Sequence, residues 1–360
     1  MSLLVLSAED VAKVTATFSP DELVALMAKV FSCLSEKHRG IFQPHRVAVP
    51  MEHHTSLFMP SRIALAGTTM KVVSVPSSDA PKEIREKGLP ASTIVLDEQL
   101  GSVKAVVNAR RLTALRNAAG SLLSARVILP DDAAPKHILA IGAGAQIQAH
   151  LAIFLTAYPS IESCTIYNRT SNARLESLRE LLESTYPSVK VTTGVLPPAH
   201  SKEGELDYHE AVKRANIIIT ATSSTRPLFP SKLVQQGTHL CLIGSYKPEM
   251  REIDIDLVRR AGVVIVDQKT ACLQEAGELI EAELSEADLV ELGELFDYYA
   301  KDKTWVPREG PIEEIQTAGD VSIFKSVGVG VQDVAIACAV VQRALKEKIG
   351  VVIENYDEEE

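Results

Sequence analysis

Residues 137–158, HILAIGAGAQIQAHLAIFLTAY, constrain this chain more than any other stretch. Four apolar residues (138–141) run straight into Gly142-Ala143-Gly144, and a helical pattern follows. Ile147, Leu151, Phe154, Leu155 and Tyr158 recur at the spacing of one helix face, and Pro159 ends the run. A buried strand, a Gly-x-Gly turn and a helix together present free backbone N–H groups to a pyrophosphate, at the positive end of a helix dipole. Gly142 permits the tight turn, and Gly144 keeps a Cβ out of the way of the phosphates. The third fingerprint position, usually Gly or Ala, holds Ile147.

The next strand bears on which dinucleotide is bound. Residues 163–167 (SCTIY) read as that strand and lead into Asn168-Arg169-Thr170. A cofactor with a free ribose 2′-hydroxyl usually meets Asp or Glu at this tip, and none stands there. Asn168 and Thr170 offer hydrogen bonds, and Arg169 can pair with a dianion, which suits the 2′-phosphate of NADP. NADP(H) is therefore expected in preference to NAD(H), which such a crevice can also take.

A length of 360 residues suggests two domains, and 46% hydrophobic residues supply ample core. The net charge of −10 speaks against nucleic-acid or anionic-membrane partners. Five scattered cysteines without a CxxC pair read as packed thiols. No basic-then-apolar leader opens the chain and no apolar run is long enough to span a bilayer, so a soluble, cytoplasmic protein is expected.

Along the chain, Ser7 can cap a short helix, and Ser19-Pro20-Asp21-Glu22 combines an N-cap, an early Pro and a capping-box Glu. Residues 43–75 read as strands and turns, best at 46–49 and 70–75. Residues 76–88 read as a polar connection, and 93–96 with 103–107 as a hairpin. A helix over 110–125 closes this first, antiparallel part, and a polar linker at 131–136 marks a boundary. Strand–helix alternation follows, with strands at 138–141, 163–167, 189–195, 217–220, 238–244 and 263–267 and a loop at 197–205. That is the pattern of a doubly wound parallel sheet. Residues 279–299 read as an acidic helix, 305–316 as a loop, 328–349 as the final helix, and 357–360 as a solvated tail.

Several segments in order resemble the ornithine cyclodeaminase/mu-crystallin family: GTTMKVVSVP (67–76), ARRLTALRNAAGSLLSA (109–125), IGAGAQIQAHL (141–151), YNRT (167–170), GTHLCLIGSYKPEMREID (237–254) and DVSIFKSVGVGVQD (320–333). The resemblance implies a Rossmann-type NAD(P)-binding domain, residues 129–320, inserted into an α+β substrate-binding domain built from both chain ends, 1–128 with 321–360. It also implies that this second domain forms a homodimer. Family members act at the α-carbon of an amino or imino acid with a nicotinamide cofactor.

Taken from the residues alone, Arg46, Lys71 and Arg116 are cations in or beside apolar runs, each readable as an ion pair or a snorkelling side chain. The resemblance assigns them to a clamp on the substrate α-carboxylate, with Lys71 also placed to protonate or polarise an imine nitrogen. It further places Gly142, Gly144, Ala145 and Gln146 at the pyrophosphate. Thr222, Cys241, Leu242, Ile243 and Ser326 then fall near the ribose and nicotinamide. Where the family's cyclodeaminases carry an aspartate two residues after a glycine, here Gly244, this chain has Tyr246. A phenol is a poor general base at neutral pH. The expectation is therefore an NADPH-dependent ketimine reductase making an amino acid from an imino acid. The alternatives are an ornithine or lysine cyclodeaminase and a non-catalytic, crystallin-like binder of NADPH and a small ligand. His38, His45, His53 and His54 lie close in sequence but lack acidic or Cys partners at ligand spacing, so no metal is expected.

Overall fold

The computed structural model describes residues 2–36, 40–64, 66–77, 79–86, 88–130, 132–197 and 205–357. His38, Asp131, most of the 197–205 loop and the tail residues 358–360 lie outside them. Two compact units emerge, Met1–Arg116 with Val329–Glu360, and Asn117–Gly328.

In the first unit a largely antiparallel sheet runs in the order Val351–Ile353, Leu3–Leu6, Val103–Asn108, Ala91–Leu96, Gly67–Pro76 and His54–Ile63. Ile41–Phe42 and Val47–Pro50 both pair with the last of these. Among the described residues, Leu3–Leu6 against Val103–Asn108 is the one parallel pairing in this sheet. The helices Ala8–Thr15 and Pro20–Ser35 start with the expected reciprocal caps, Ser7 with Asp10 and Ser19 with Glu22. The final helix, Gly330–Glu347, packs against the strands His54–Ile63 and Gly67–Pro76 and against Pro20–Ser35. Side chains alternate along a strand, so Gly67, Thr69 and Lys71 share the buried face of theirs. A Cβ at Gly67 would meet Cys338 Sγ of the final helix at 2.7 Å, which is why glycine stands there.

The second unit carries an all-parallel sheet in the order Lys190–Val195, Ser163–Asn168, His137–Ile141, Ile217–Thr220, His239–Leu242, Ser322–Lys325, Val264–Val266 and Leu289–Glu291. The strands are near-continuous apolar runs, as burial on both faces demands. Strand order reverses beside His137–Ile141, the switch point at which open α/β sheets leave a crevice. The fold is thus the expected doubly wound parallel sheet with an α+β companion.

Three expectations need correction. The parallel sheet has two strands beyond the six expected, Ser322–Lys325 and Leu289–Glu291. Residues 279–299 are not one helix: only Gly277–Glu281 is α-helical, followed by short 3-10 turns and the strands Leu289–Glu291 and Phe296–Tyr299. Leu289, Leu292, Leu295 and Phe296 are all buried there, and Phe296 packs edge-on against Trp305 at 5.8 Å, so tertiary burial overrides the acidic helical pattern. Nor is 305–316 a loop: Thr304–Pro307 pairs with Phe296–Tyr299, and Glu309–Ala318 is a helix. Pro311 sits in that helix's first turn, where its missing N–H costs no hydrogen bond.

Two buried histidines fasten the helix segment after Asn117, His150 to the helix Ala145–Ala157 and His239 to the sheet. His150 Nδ1 donates to the Gln146 carbonyl (2.7 Å), which leaves Nε2 to accept from Ser121 Oγ (2.9 Å). His239 bridges Ser124 (3.0 Å) and Ser322 (2.9 Å). Burial pushes both rings down from 6.5 to about 4. Their folded values lie below the unfolded one, so stability is intact above pH 6.5 and falls as the unfolded chain takes up protons between 6.5 and 4. The expected slope is about 1.4 kcal/mol per pH unit for each histidine. In denaturant titrations from pH 7 to 4.5, His239→Gln should lose one such increment of slope relative to the parent. An identical slope in both proteins would contradict the assignment.

Candidate functional site

In the second unit, the expected phosphate turn follows His137–Ile141. Gly142 adopts φ +120° and donates its N–H to the Tyr167 carbonyl (2.8 Å). A Cβ at Gly142 would press on the Ala221 carbonyl oxygen at 2.9 Å and Ile147 Cγ1 at 3.2 Å. Ile147 is wholly buried, so the side chain at the third fingerprint position fills the space between turn and helix. Gly144 caps the helix Ala145–Ala157, and a Cβ there would meet nothing within 4 Å. The helix N-terminus thus opens onto free space, as a bound pyrophosphate requires. Gln146 Oε1 is buried without a hydrogen-bond partner, a further sign that a polar ligand completes this turn.

A cavity of about 890 Å³ lies over the turn. Its wall includes Gly142, Gly144, Asn168, Arg169, Thr170 and Thr222 of the expected cofactor set. Arg174 and Arg226, not singled out in the sequence, line it too. Asn168 Nδ2 donates to the Thr170 carbonyl (2.9 Å), and Asn172 caps the next helix, so the tip of Ser163–Asn168 is tied to its own turn. Ala145, Gln146, Cys241, Leu242, Ile243 and Ser326 do not belong to this wall. Cys241 and Leu242 are strand core, and burial pushes the Cys241 thiol up to about 12. Ser326 Oγ donates to Asp267 Oδ2 (2.7 Å), which also accepts from Gly328 N (2.7 Å). Tyr246 is exposed, with the Lys247 ammonium 6.0 Å from its ring centre.

Buried charge holds the floor of this crevice. Glu252 accepts from Thr220 Oγ1 (2.8 Å), Thr222 N (2.7 Å), Thr222 Oγ1 (2.8 Å) and Gly244 N (2.8 Å). A Cβ at Gly244 would collide with the Thr222 backbone and the Glu252 carboxylate. Burial pushes the Glu252 carboxyl up while the Lys325 ammonium pulls it back. Lys325 donates to Ser245 Oγ (2.6 Å) and lies 3.3 Å from Glu278 Oε1, both side chains wholly buried. The sequence reading missed Lys325, although a lysine inside the apolar run SIFKSV is the same signal that drew attention to Lys71.

In the first unit, Lys71 and Arg116, each 3% exposed, converge on Asp333. Lys71 Nζ donates to Asp333 Oδ2 (2.5 Å), and Arg116 Nε lies 3.4 Å from Asp333 Oδ1. Arg116 Nη1 also donates to Gln332 Oε1. Burial holds the Lys71 ammonium below the ordinary lysine range, Asp333 opposes that shift, and Arg116 and Arg46 add to it. Arg46 itself is exposed, just before the strand Val47–Pro50. The structure thus joins two of the three expected clamp residues through an aspartate whose role the sequence reading did not name. Among the described residues no three His, Cys, Asp or Glu side chains come together as metal ligands would.

Residues 5–348 match the model of the family described as "Ornithine cyclodeaminase/mu-crystallin family". The ketimine reductase mu-crystallin of Mus musculus is 30% identical over 302 residues, 83% of this chain and 84% of that protein. The Delta(1)-pyrroline-2-carboxylate reductase of Bacillus cereus is 29% identical over 290 residues, 79% of this chain and 80% of its own. The fold is shared with the Thermococcus litoralis Delta(1)-pyrroline-2-carboxylate reductase solved with NADH and L-proline. That match has a TM-score of 0.77 at 23% identity and covers 97% of this chain and 99% of that one.

The two glycines should separate on mutation. Gly142→Ala, strained at positive φ and crowded by Ala221, should lower stability by about 1–3 kcal/mol. Gly144→Ala should leave thermal stability unchanged yet weaken dinucleotide binding about tenfold or more, because its Cβ intrudes only when phosphate is present. Calorimetry of both variants checks this, and an intact affinity in Gly144→Ala would contradict the phosphate assignment.

Proposed function

We propose that this chain, which belongs to the ornithine cyclodeaminase/mu-crystallin family, reduces the C=N bond of an imino acid to give an amino acid, with a nicotinamide dinucleotide as reductant. The observation that carries this reading is the pair of buried cations, Lys71 and Arg116, gathered at Asp333. A buried ammonium and a buried guanidinium brought together in this way are the groups that would grip a substrate carboxylate. The dinucleotide fits the turn of the second unit, where Gly142 makes the turn and Gly144 clears a path for the phosphates. When bound, its reduced nicotinamide supplies hydride. The chain supplies placement: Arg116 and Lys71 grip the α-carboxylate and so fix which face of the α-carbon is presented. Lys71 can also pass a proton to the imine nitrogen. Arg46, exposed and near enough to act on Lys71, is assigned to the outer side of the same grip.

Reduction is favoured over the cyclodeaminase reading by Tyr246. Amine oxidation must shed a proton to a base, a role to which a phenol is ill suited, whereas reduction needs a proton donor, which Lys71 supplies. NADP(H) is favoured over NAD(H) by the crevice itself. Among the described residues its lining holds three arginines, Arg169, Arg174 and Arg226, and no carboxylate to bind a ribose 2′-hydroxyl. We further propose a homodimer formed by the first unit, where Phe42, Val47, Val49 and Met51 expose apolar surface at one end of the sheet. Among the described residues no helix is long and apolar enough to cross a membrane. The five cysteines are free, as in a reducing compartment such as the cytoplasm.

Purified protein should oxidise NADPH with a cyclic ketimine carboxylate and release no ammonia from L-ornithine or L-lysine with NAD. Steady ammonia release from either would replace reductase by lyase, and turnover in neither direction would favour a ligand-binding role. NADPH should bind at least about tenfold tighter than NADH, with Arg169→Ala removing most of that preference, since a charge-assisted bond contributes roughly 1.5–3 kcal/mol. Equal affinities in the parent protein would refute the 2′-phosphate assignment.

A further inference from the structure

The final helix opens with two polar side chains that its packing alone does not call for. Gln332 and Asp333 are buried among Val331, Val334 and Ala335, on a helix that otherwise presents an apolar face to the sheet. Both engage the cations of the grip. Gln332 Oε1 accepts from Arg116 Nη1 and from Val329 N (3.2 Å), so the helix start holds the guanidinium. Asp333 places one oxygen on Lys71 and turns the other toward Arg116 Nε. Charged groups reach Lys71 from three directions: Asp333 from the final helix, Arg116 from Leu112–Ile128, and Arg46 from the segment before Val47–Pro50. Two of the three are cations, and burial adds to their effect. Without Asp333, Lys71 would sit desolvated with the Arg116 guanidinium across the vacated position, a setting that expels its proton.

Resting on the imine-reductase reading, we propose that Asp333 is a positioning residue that holds the Lys71 proton in place for delivery to the substrate nitrogen. The step balances as follows. When bound, the reduced nicotinamide would supply hydride for the new C–H bond at the imine carbon, with the π pair of C=N moving onto nitrogen. That pair takes a proton from Lys71 Nζ, leaving a neutral amine that still donates to Asp333 Oδ2. Water returns the proton after the product leaves. Asp333 acts only through Lys71 and through the orientation of Arg116.

The experiment follows Lys71 directly, in full-length protein labelled with 13C at lysine Cε, the resonance assigned by its loss in Lys71→Arg. In Asp333→Asn the Lys71 titration should move to lower pH by at least about one unit, since a buried counter-charge within hydrogen-bond distance is removed. The alkaline limb of kcat for ketimine reduction should move down by the same amount, with kcat falling more than KM rises. Should Asp333→Asn fail to fold, Asp333→Glu keeps the carboxylate on a longer arm. It should lower kcat while leaving the alkaline limb where the parent has it. An unshifted Lys71 titration, or a kcat loss that is uniform across pH, overturns the inference about Asp333. In the Glu variant, a displaced alkaline limb would do the same. A parent protein inert toward every imino acid would instead overturn the functional reading beneath it.

Discussion

Burying an ammonium and a guanidinium against one carboxylate is the constraint around which the first unit is arranged. Each charge taken out of water is costly unless it is paired and hydrogen-bonded, and removing one partner of such a group costs about 3–5 kcal/mol. Lys71 comes from the middle of a strand, Arg116 from a helix, and Asp333 and Gln332 from the first turn of the final helix. Segments 262 residues apart in sequence meet in the bond between Lys71 and Asp333. The C-terminal helix must therefore return to the N-terminal sheet for the grip to exist. The strand pairing of Leu3–Leu6 with both Val351–Ile353 and Val103–Asn108 ties the same ends together by backbone hydrogen bonds.

The second unit solves a different problem with the same means. A parallel sheet buried on both faces leaves its functional surface at the carboxyl ends of the strands, where loops must be held rigid without a core of their own. Glu252 does this for two loops at once, closing hydrogen bonds to Thr222 and to Gly244, while Lys325 neutralises part of the buried negative charge. Asp267 anchors the turn at Ser326 and Gly328 in the same way. Of these buried carboxylates, Glu252 holds a residue of the crevice wall, Thr222. The glycines work in the opposite sense: Gly244 is required because a neighbour is too close, and Gly144 because a ligand would be.

Much of this was legible in the sequence, and the exceptions have physical causes. Strands that are continuous apolar runs, such as residues 217–220, and helices with reciprocal caps, such as that after Ser19, carry their structure locally. Leu3–Leu6 and Val351–Ile353 do not: three or four residues become a strand only through partners far away in the chain. Residues 279–316 misled because acidic spacing mimicked a helix and Gly310-Pro311 mimicked a loop, while burial of Leu292, Leu295 and Phe296 decided the outcome. Arg169 and Lys71 were visible as charges in unusual company. Asp333 and Glu252 were not, because a single acid at a helix start or in a loop is ordinary until its buried partners are known. Arg174 and Arg226 reach the crevice only through the fold that carries them.

We propose that the buried cations of the first unit serve to hold a carboxylate on the carbon being reduced. The most direct measurement compares kcat/KM, at fixed NADPH, for a five-membered cyclic imine bearing an α-carboxylate and for the same ring lacking it. Two charge-assisted contacts predict a preference of at least about a hundredfold for the carboxylate. Rates within about tenfold of each other would mean that Lys71 and Arg116 serve only the packing of the fold, and the account would fail.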